Sequence, residues 1–152
     1  MDQPSVESTL PDPVSQFSIF TENKVGKLSD LVRSFSGEGI HIMAMTTLDT
    51  TDSAIVRVVV DDPDAARSLL RTEGAAFSES EVLAVEIAGE RDVEGVLMAL
   101  LEAEVNIHYM YSFISRPMGR SALAMSIEDL DIAMDILEAR NHKVLSQRDI
   151  SR

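Results

Sequence analysis

Cysteine is absent from the 152 residues, and so is tryptophan. The first absence removes any disulfide framework, thiolate nucleophile or cysteine-based zinc or iron–sulfur site. Aromatic residues make up 5% of the chain, and 13 basic residues stand against 26 acidic ones, a formal net charge of -13. A surface of that sign repels phosphate backbones and anionic lipid, and so few rings offer no stacking platform, so neither nucleic acid nor membrane is an expected partner. No apolar run approaches the ~18 residues a membrane helix needs, and the N-terminal residues lack both a basic n-region and an apolar h-region. The expected location is the cytoplasm. Nucleophile-elbow, Walker and dinucleotide motifs are also missing, so an enzyme is not expected and neither is a cofactor. His41, His108 and His142 are the only imidazoles. A metal site would need at least two of them to converge with further ligands, which argues against one.

What is present is a patterned chain with 45% hydrophobic residues. Residues 1–14, with Pro4, Pro11 and Pro13 among polar side chains, read as a disordered polar arm. From there Phe17 and Ile19 alternate with polar residues as a strand, and Leu28, Leu31, Val32 and Phe35 recur at helical spacing until Gly37-Glu38-Gly39. The spacing predicts a helix over 27–37. Ile40 to Met45 and the β-branched Ala54 to Val60 read as strands about a turn at Asp49 to Ser53. A second helix starts at Asp61-Asp62-Pro63, where an aspartate can cap the free amides and proline suits the first helical position. A short strand near Ala75 to Ser80 completes a βαββαβ unit.

The order then repeats: strand Val82 to Ile87, a helix with Val93, Val96, Leu97 and Leu100 on one face, strands Val105 to Ile114 and Ser121 to Ile127, helix Glu128 to Arg140, and a strand at Val144-Leu145. Ile40-His41-Ile42 falls on Val105-Asn106-Ile107 at an offset of 65, which becomes 67 at Asp61-Asp62-Pro63-Asp64 and Glu128-Asp129-Leu130-Asp131. Two extra residues around Arg116-Pro117-Met118-Gly119 account for the shift. The two acidic clusters sit at helix starts, so capping and dipole complementarity explain them better than acid–base chemistry or magnesium. The expected fold is α+β, two tandem ferredoxin-like βαββαβ units with antiparallel sheets and helices on one face, residues 15–80 and 81–150. A unit of ~70 residues supplies only ~3–5 kcal/mol from its own core, so pairing of the units is expected, and a homodimer beyond it.

Phe20-Thr21-Glu22-Asn23-Lys24-Val25-Gly26-Lys27-Leu28, with Glu38-Gly39-Ile40-His41-Ile42 after it, resembles the ACT domain family of small-molecule-sensing modules. The family pattern is an Asp/Asn-x-Pro-Gly-x-Leu loop before a helix and Gly-Ile/Val-Asn-Ile at the next strand; Val25 replaces the proline and His41 the asparagine. The resemblance spans both units and is similar to stand-alone tandem ACT proteins. It implies a regulatory protein of amino-acid metabolism that binds an amino acid or similar metabolite at an inter-unit or inter-subunit interface, and a possible biosynthetic enzyme as partner. The ligand-facing residues it implies are Asn23, Lys24, Val25, Gly26, Lys27, Leu28, Ile40, His41, Ile42 and, in the second copy, Asn106. There Arg91 stands where Gly26 does and Ala88 where Asn23 does, so the first copy is expected to hold the better site. The alternative is an interaction module or regulatory subunit whose ligand loop has decayed.

Overall fold

The computed structural model describes residues 12–22 and 24–151; the arm up to residue 11 lies outside them. Strand β1 (Val14–Glu22) leads into helix α1 (Lys27–Gly37), then β2 (Ile42–Asp49), β3 (Ser53–Val60), α2 (Pro63–Thr72) and β4 (Ala76–Ile87). The second unit continues with α3 (Glu90–Glu102), β5 (Ile107–Ser112), β6 (Ser121–Ile127), α4 (Leu130–Ala139), β7 (Val144–Leu145) and a last turn of helix, α5 (Gln147–Ile150), which the sequence pattern did not announce. Val14, the last residue assigned to the arm, is already paired with Val82.

The strand order is β2-β3-β1-β4-β6-β5, with β7 also on β4, and every pair is antiparallel. Read per unit, this is the ferredoxin-like order twice over. The two strands expected at Ala75 to Ser80 and Val82 to Ile87 are one 12-residue strand. Ser80-Glu81 looked like a break because it is polar, yet it contains no glycine or proline and simply continues the alternation. Its first half pairs with β1 and its second half with β6 and β7.

Alternation sorts the side chains into three cores. Odd positions of β4 face the helices: Phe77 packs with Phe17, Ile19, Phe35, Val58 and Leu70 in the first unit, and Leu83 and Val85 pack with Val96, Leu100, Met134 and Leu137 in the second. Each fully buried side chain of that size contributes ~1.5–3 kcal/mol. Even positions face inward, where the helix-free sheet faces of the two units meet and enclose Val14, Ala44, Val59, Val82, Ala84, Tyr111, Phe113 and Ala124. A bridge between Ala44 and Phe113, and the Ile114 N–H donated to the Met43 carbonyl at 2.7 Å, bring β2 against the end of β5. The layers are therefore helix, sheet, sheet, helix.

One polar residue is sealed in that middle core. Gln16 is 0% exposed. Its Nε2 donates to Tyr109 Oη at 2.7 Å and Ser80 Oγ at 3.3 Å, and its Oε1 accepts from Tyr111 Oη at 2.5 Å. The amide is thus satisfied across the seam by both units.

The acidic clusters behave as capping groups. Asp62 accepts the Ala65 N–H and Asp129 the Ile132 N–H, each at 3.1 Å, while Pro63 occupies the first turn. The repeat also shows in the backbone: Asp61 N–H donates to the His41 carbonyl at 3.1 Å, and Glu128 N–H to that of Asn106 at 3.0 Å. The extra residues of the second hairpin form a short 3-10 turn at Pro117–Gly119, with Met118 in the left-handed region.

Candidate functional site

The loop after β1 is a tight polar turn. Lys24 N–H donates to the Glu22 carbonyl at 2.9 Å, and the Lys24 ammonium stands 2.8 Å from the Glu22 carboxylate. That contact lowers the Glu22 pKa and raises that of Lys24 through the hydrogen bond and the opposite charge. Gly26 then takes φ +89, a left-handed conformation, and caps α1 without a side chain; no heavy atom lies within 4 Å of where its Cβ would stand. The Lys27 N–H donates to the Lys24 carbonyl at 3.2 Å, and Gly26 offers no side-chain cap to the amides that follow, so this helix start favours an anion.

Two hollows flank this turn and share Leu28, which is 40% exposed. One, about 250 Å³, lies over the ends of β1, β2 and β3 and is lined by Lys24, Lys27, Thr47 and Val56 among others. The other, about 690 Å³ and open, runs along α1 past Ser29, Val32 and Arg33 to Met45. Apolar walls beside a rim of mixed charge, Lys24 and Lys27 with Glu22 and Asp49, suit a small zwitterion with an apolar part.

The residues singled out in the sequence fall into three places. Lys24, Val25, Gly26, Lys27 and Leu28 share the loop; Asn23 lies outside the described residues. Ile40, His41 and Ile42 sit at the other end of the sheet, since β2 runs about 23 Å from Ile42 to Asp49 at ~3.3 Å per residue. Ile40 is buried in the first helix-side core, with Ile42 packed against it. His41 lies just before β2 and is exposed; its N–H donates to Asp61 Oδ1 at 2.8 Å, and it lines a separate hollow of about 130 Å³ with Met43, Asp61, Ser115 and Arg116. One chain does not bring the loop and His41 together. Asn106 belongs to the second unit, where its Nδ2 donates to Glu128 Oε2 at 2.6 Å.

The second unit's loop is built differently. Gly89 before α3 is extended, and the Ala88 N–H donates to Asp92 Oδ2 at 2.6 Å. A carboxylate from the helix's own first turn already occupies that approach, and Arg91 is exposed. Among the described residues there is no cluster of three or more His, Asp or Glu able to hold a metal, and no helix is long and apolar enough to cross a membrane.

The family model of the ACT domain pair matches residues 13–152. Among solved structures, protein BT0572 from Bacteroides thetaiotaomicron superposes with a TM-score of 0.83 at 26% identity, over 93% of this chain and 98% of that one. The ligand-free regulatory subunit of aspartate kinase from Thermus thermophilus gives 0.58 at 12% identity, over 85% and 93%. That from Thermus flavus gives 0.54 at 14%, over 86% and 94%; at these identities the likeness is one of fold. A search of curated proteins finds no match.

Proposed function

The chain belongs to the ACT domain family, as a pair of such domains, and from that premise we propose that it is a regulatory protein that binds an amino acid or a closely related metabolite beside α1 of the first unit. The observation that carries this reading is the left-handed Gly26 at the start of α1, with Leu28 dividing two hollows and lysines 24 and 27 at the rim. A ligand carboxylate would lie on the helix amides and its side chain against Leu28, Val32 and Met45. The second unit lacks this opening and serves as the structural partner, its sheet covering part of the inner face of the first.

His41 and Ile42, at the far end of β2, reach a ligand held by the loop only if a second copy supplies them. The reading therefore includes a homodimer in which the loop of one chain faces the β2 start of its partner. Regulation would follow from ligand-dependent assembly or from docking on a biosynthetic enzyme, and the fold shared with regulatory subunits of aspartate kinase supports that mode. The chain would act without catalysis of its own.

Isothermal titration against the common amino acids, with thermal melts in parallel, tests this. Saturable binding by one or a few, abolished in Gly26→Asp with far-UV circular dichroism unchanged, is the expected result. No heat and no shift of the melting temperature with any of them would favour the ligand-free adaptor instead.

A further inference from the structure

The inner sheet face of the first unit is only partly covered by the second. Its rows, read across β2, β3, β1 and β4, are Ala44-Val59-Gln16-Ser80, then Thr46-Arg57-Ser18-Ser78, then Leu48-Ile55-Phe20-Ala76. The first row lies under Tyr109 and Tyr111 of β5. The third is open: Phe20 is 48% and Leu48 49% exposed. Arg57 stands at the boundary.

Arg57 differs from the arginines that hold carboxylates. Arg120 and Arg140 each have one, and Arg67 has two. Arg57 is half-buried, its guanidinium lies 4.1 Å from the centroid of the Tyr109 ring, and its Nε is buried with no hydrogen-bond partner. Among the described residues no hydrogen bond or ion pair joins it to another side chain, and its cross-strand neighbours are Ser18 and Thr46. In a chain of net charge -13, a half-buried cation among hydroxyls and a ring, without an anion, is an incomplete arrangement: desolvation penalises it and a carboxylate would offset that. The cation–π contact supplies only part of the compensation.

We propose that this open end of the seam is a second binding site, for a small carboxylate with an apolar tail. The carboxylate would pair with the Arg57 guanidinium beside the hydroxyls of Ser18 and Ser78, and the tail would cover Phe20, Ile55 and Leu48. Because Tyr109 of the second unit borders the Arg57 guanidinium, occupancy also ties the two units together. This site is distinct from the Gly26 loop.

The chain carries its own reporter. Tryptophan is absent and Tyr109 and Tyr111 are the only tyrosines, stacked at 6.4 Å between ring centroids. Tyrosine fluorescence therefore reads this seam alone. Titration of the full chain with sodium hexanoate is expected to give a saturable change, absent with hexan-1-ol, weakened about tenfold or more in Arg57→Gln, and less in Arg57→Lys. The Gly26→Asp variant is expected to keep the response, so loss of the α1 site and loss of this one are separable. No saturable change in the native chain overturns the proposal, whatever the variants do. So does an undiminished response in a folded Arg57→Gln, or one lost in Gly26→Asp.

Discussion

Replacing Gln16 with leucine puts a number on the seam. The substitution keeps roughly the volume and deletes three hydrogen bonds, those to Tyr109, Ser80 and Tyr111. Each exchanged bond is worth ~1 kcal/mol net, but most of the cost comes from the Tyr111 hydroxyl, left without a partner in a buried position at ~1–3 kcal/mol. Tyr109 is half-buried and Ser80 exposed, so water can serve them. The added apolar burial of leucine offsets part, leaving a net loss of about 2–4 kcal/mol. Urea unfolding followed by far-UV circular dichroism measures it. Tyr111→Phe alone should cost about 1–2 kcal/mol, and the double variant clearly less than the sum, because the leucine no longer leaves a buried hydroxyl unpaired. A Gln16→Leu loss below about 0.5 kcal/mol, or strict additivity in the cycle, would refute the idea that this amide clamps the two units.

Burial also raises the Tyr111 pKa well above its ordinary value of 10.0, with Tyr109 adding to the shift and Arg57 opposing it. The fold thus keeps the phenol protonated where the unfolded chain ionises, so stability is unaffected by this group below pH 10 and falls above it by up to ~1.4 kcal/mol per unit; alkaline melts of Tyr111→Phe should lose that component. Asp62→Ala and Asp129→Ala each remove a helix cap and should cost ~0.5–2 kcal/mol in denaturant titrations, whereas Asp131→Ala, inside the first turn and past the cap, should cost less. Since β4 runs through both sheets and the middle core joins them, thermal unfolding should be a single transition with matching calorimetric and van't Hoff enthalpies; two resolved transitions would show that the units are independent.

Much of the fold was legible because it follows from local rules. Helix α1 occupies 27–37 as its apolar spacing and terminal glycines indicate, and β6 occupies Ser121–Ile127. The aspartate before each even-numbered long helix caps it, as the chemistry of free amides requires. The offset that grows from 65 to 67 reappears in the equivalent backbone bonds of His41 with Asp61 and Asn106 with Glu128. The candidate loop could be found from Gly26, whose left-handed backbone is the one thing a glycine at a helix start is needed for. Gln16 and Arg57 are not legible as inner-face residues, because a polar residue alternating with apolar ones in a strand reads as the solvent face. That inference holds for an isolated unit and fails when a second sheet lies on top.

The sequence by itself determined the elements, their duplication and which stripe of each helix and strand is apolar, since these depend on residues a few positions apart. Tertiary structure decided what lies against the other face of each sheet. There the contacts join residues some 90 positions apart, as between Gln16 and the tyrosines 109 and 111, and no local periodicity encodes them. It also decided that Ser80-Glu81 continues a strand shared by both units rather than separating two, because pairing with β1 on one half and β6 on the other holds the backbone extended through a polar stretch. The same packing leaves Arg57 a half-buried cation without an anion, a property that no count of charges along the chain could reveal.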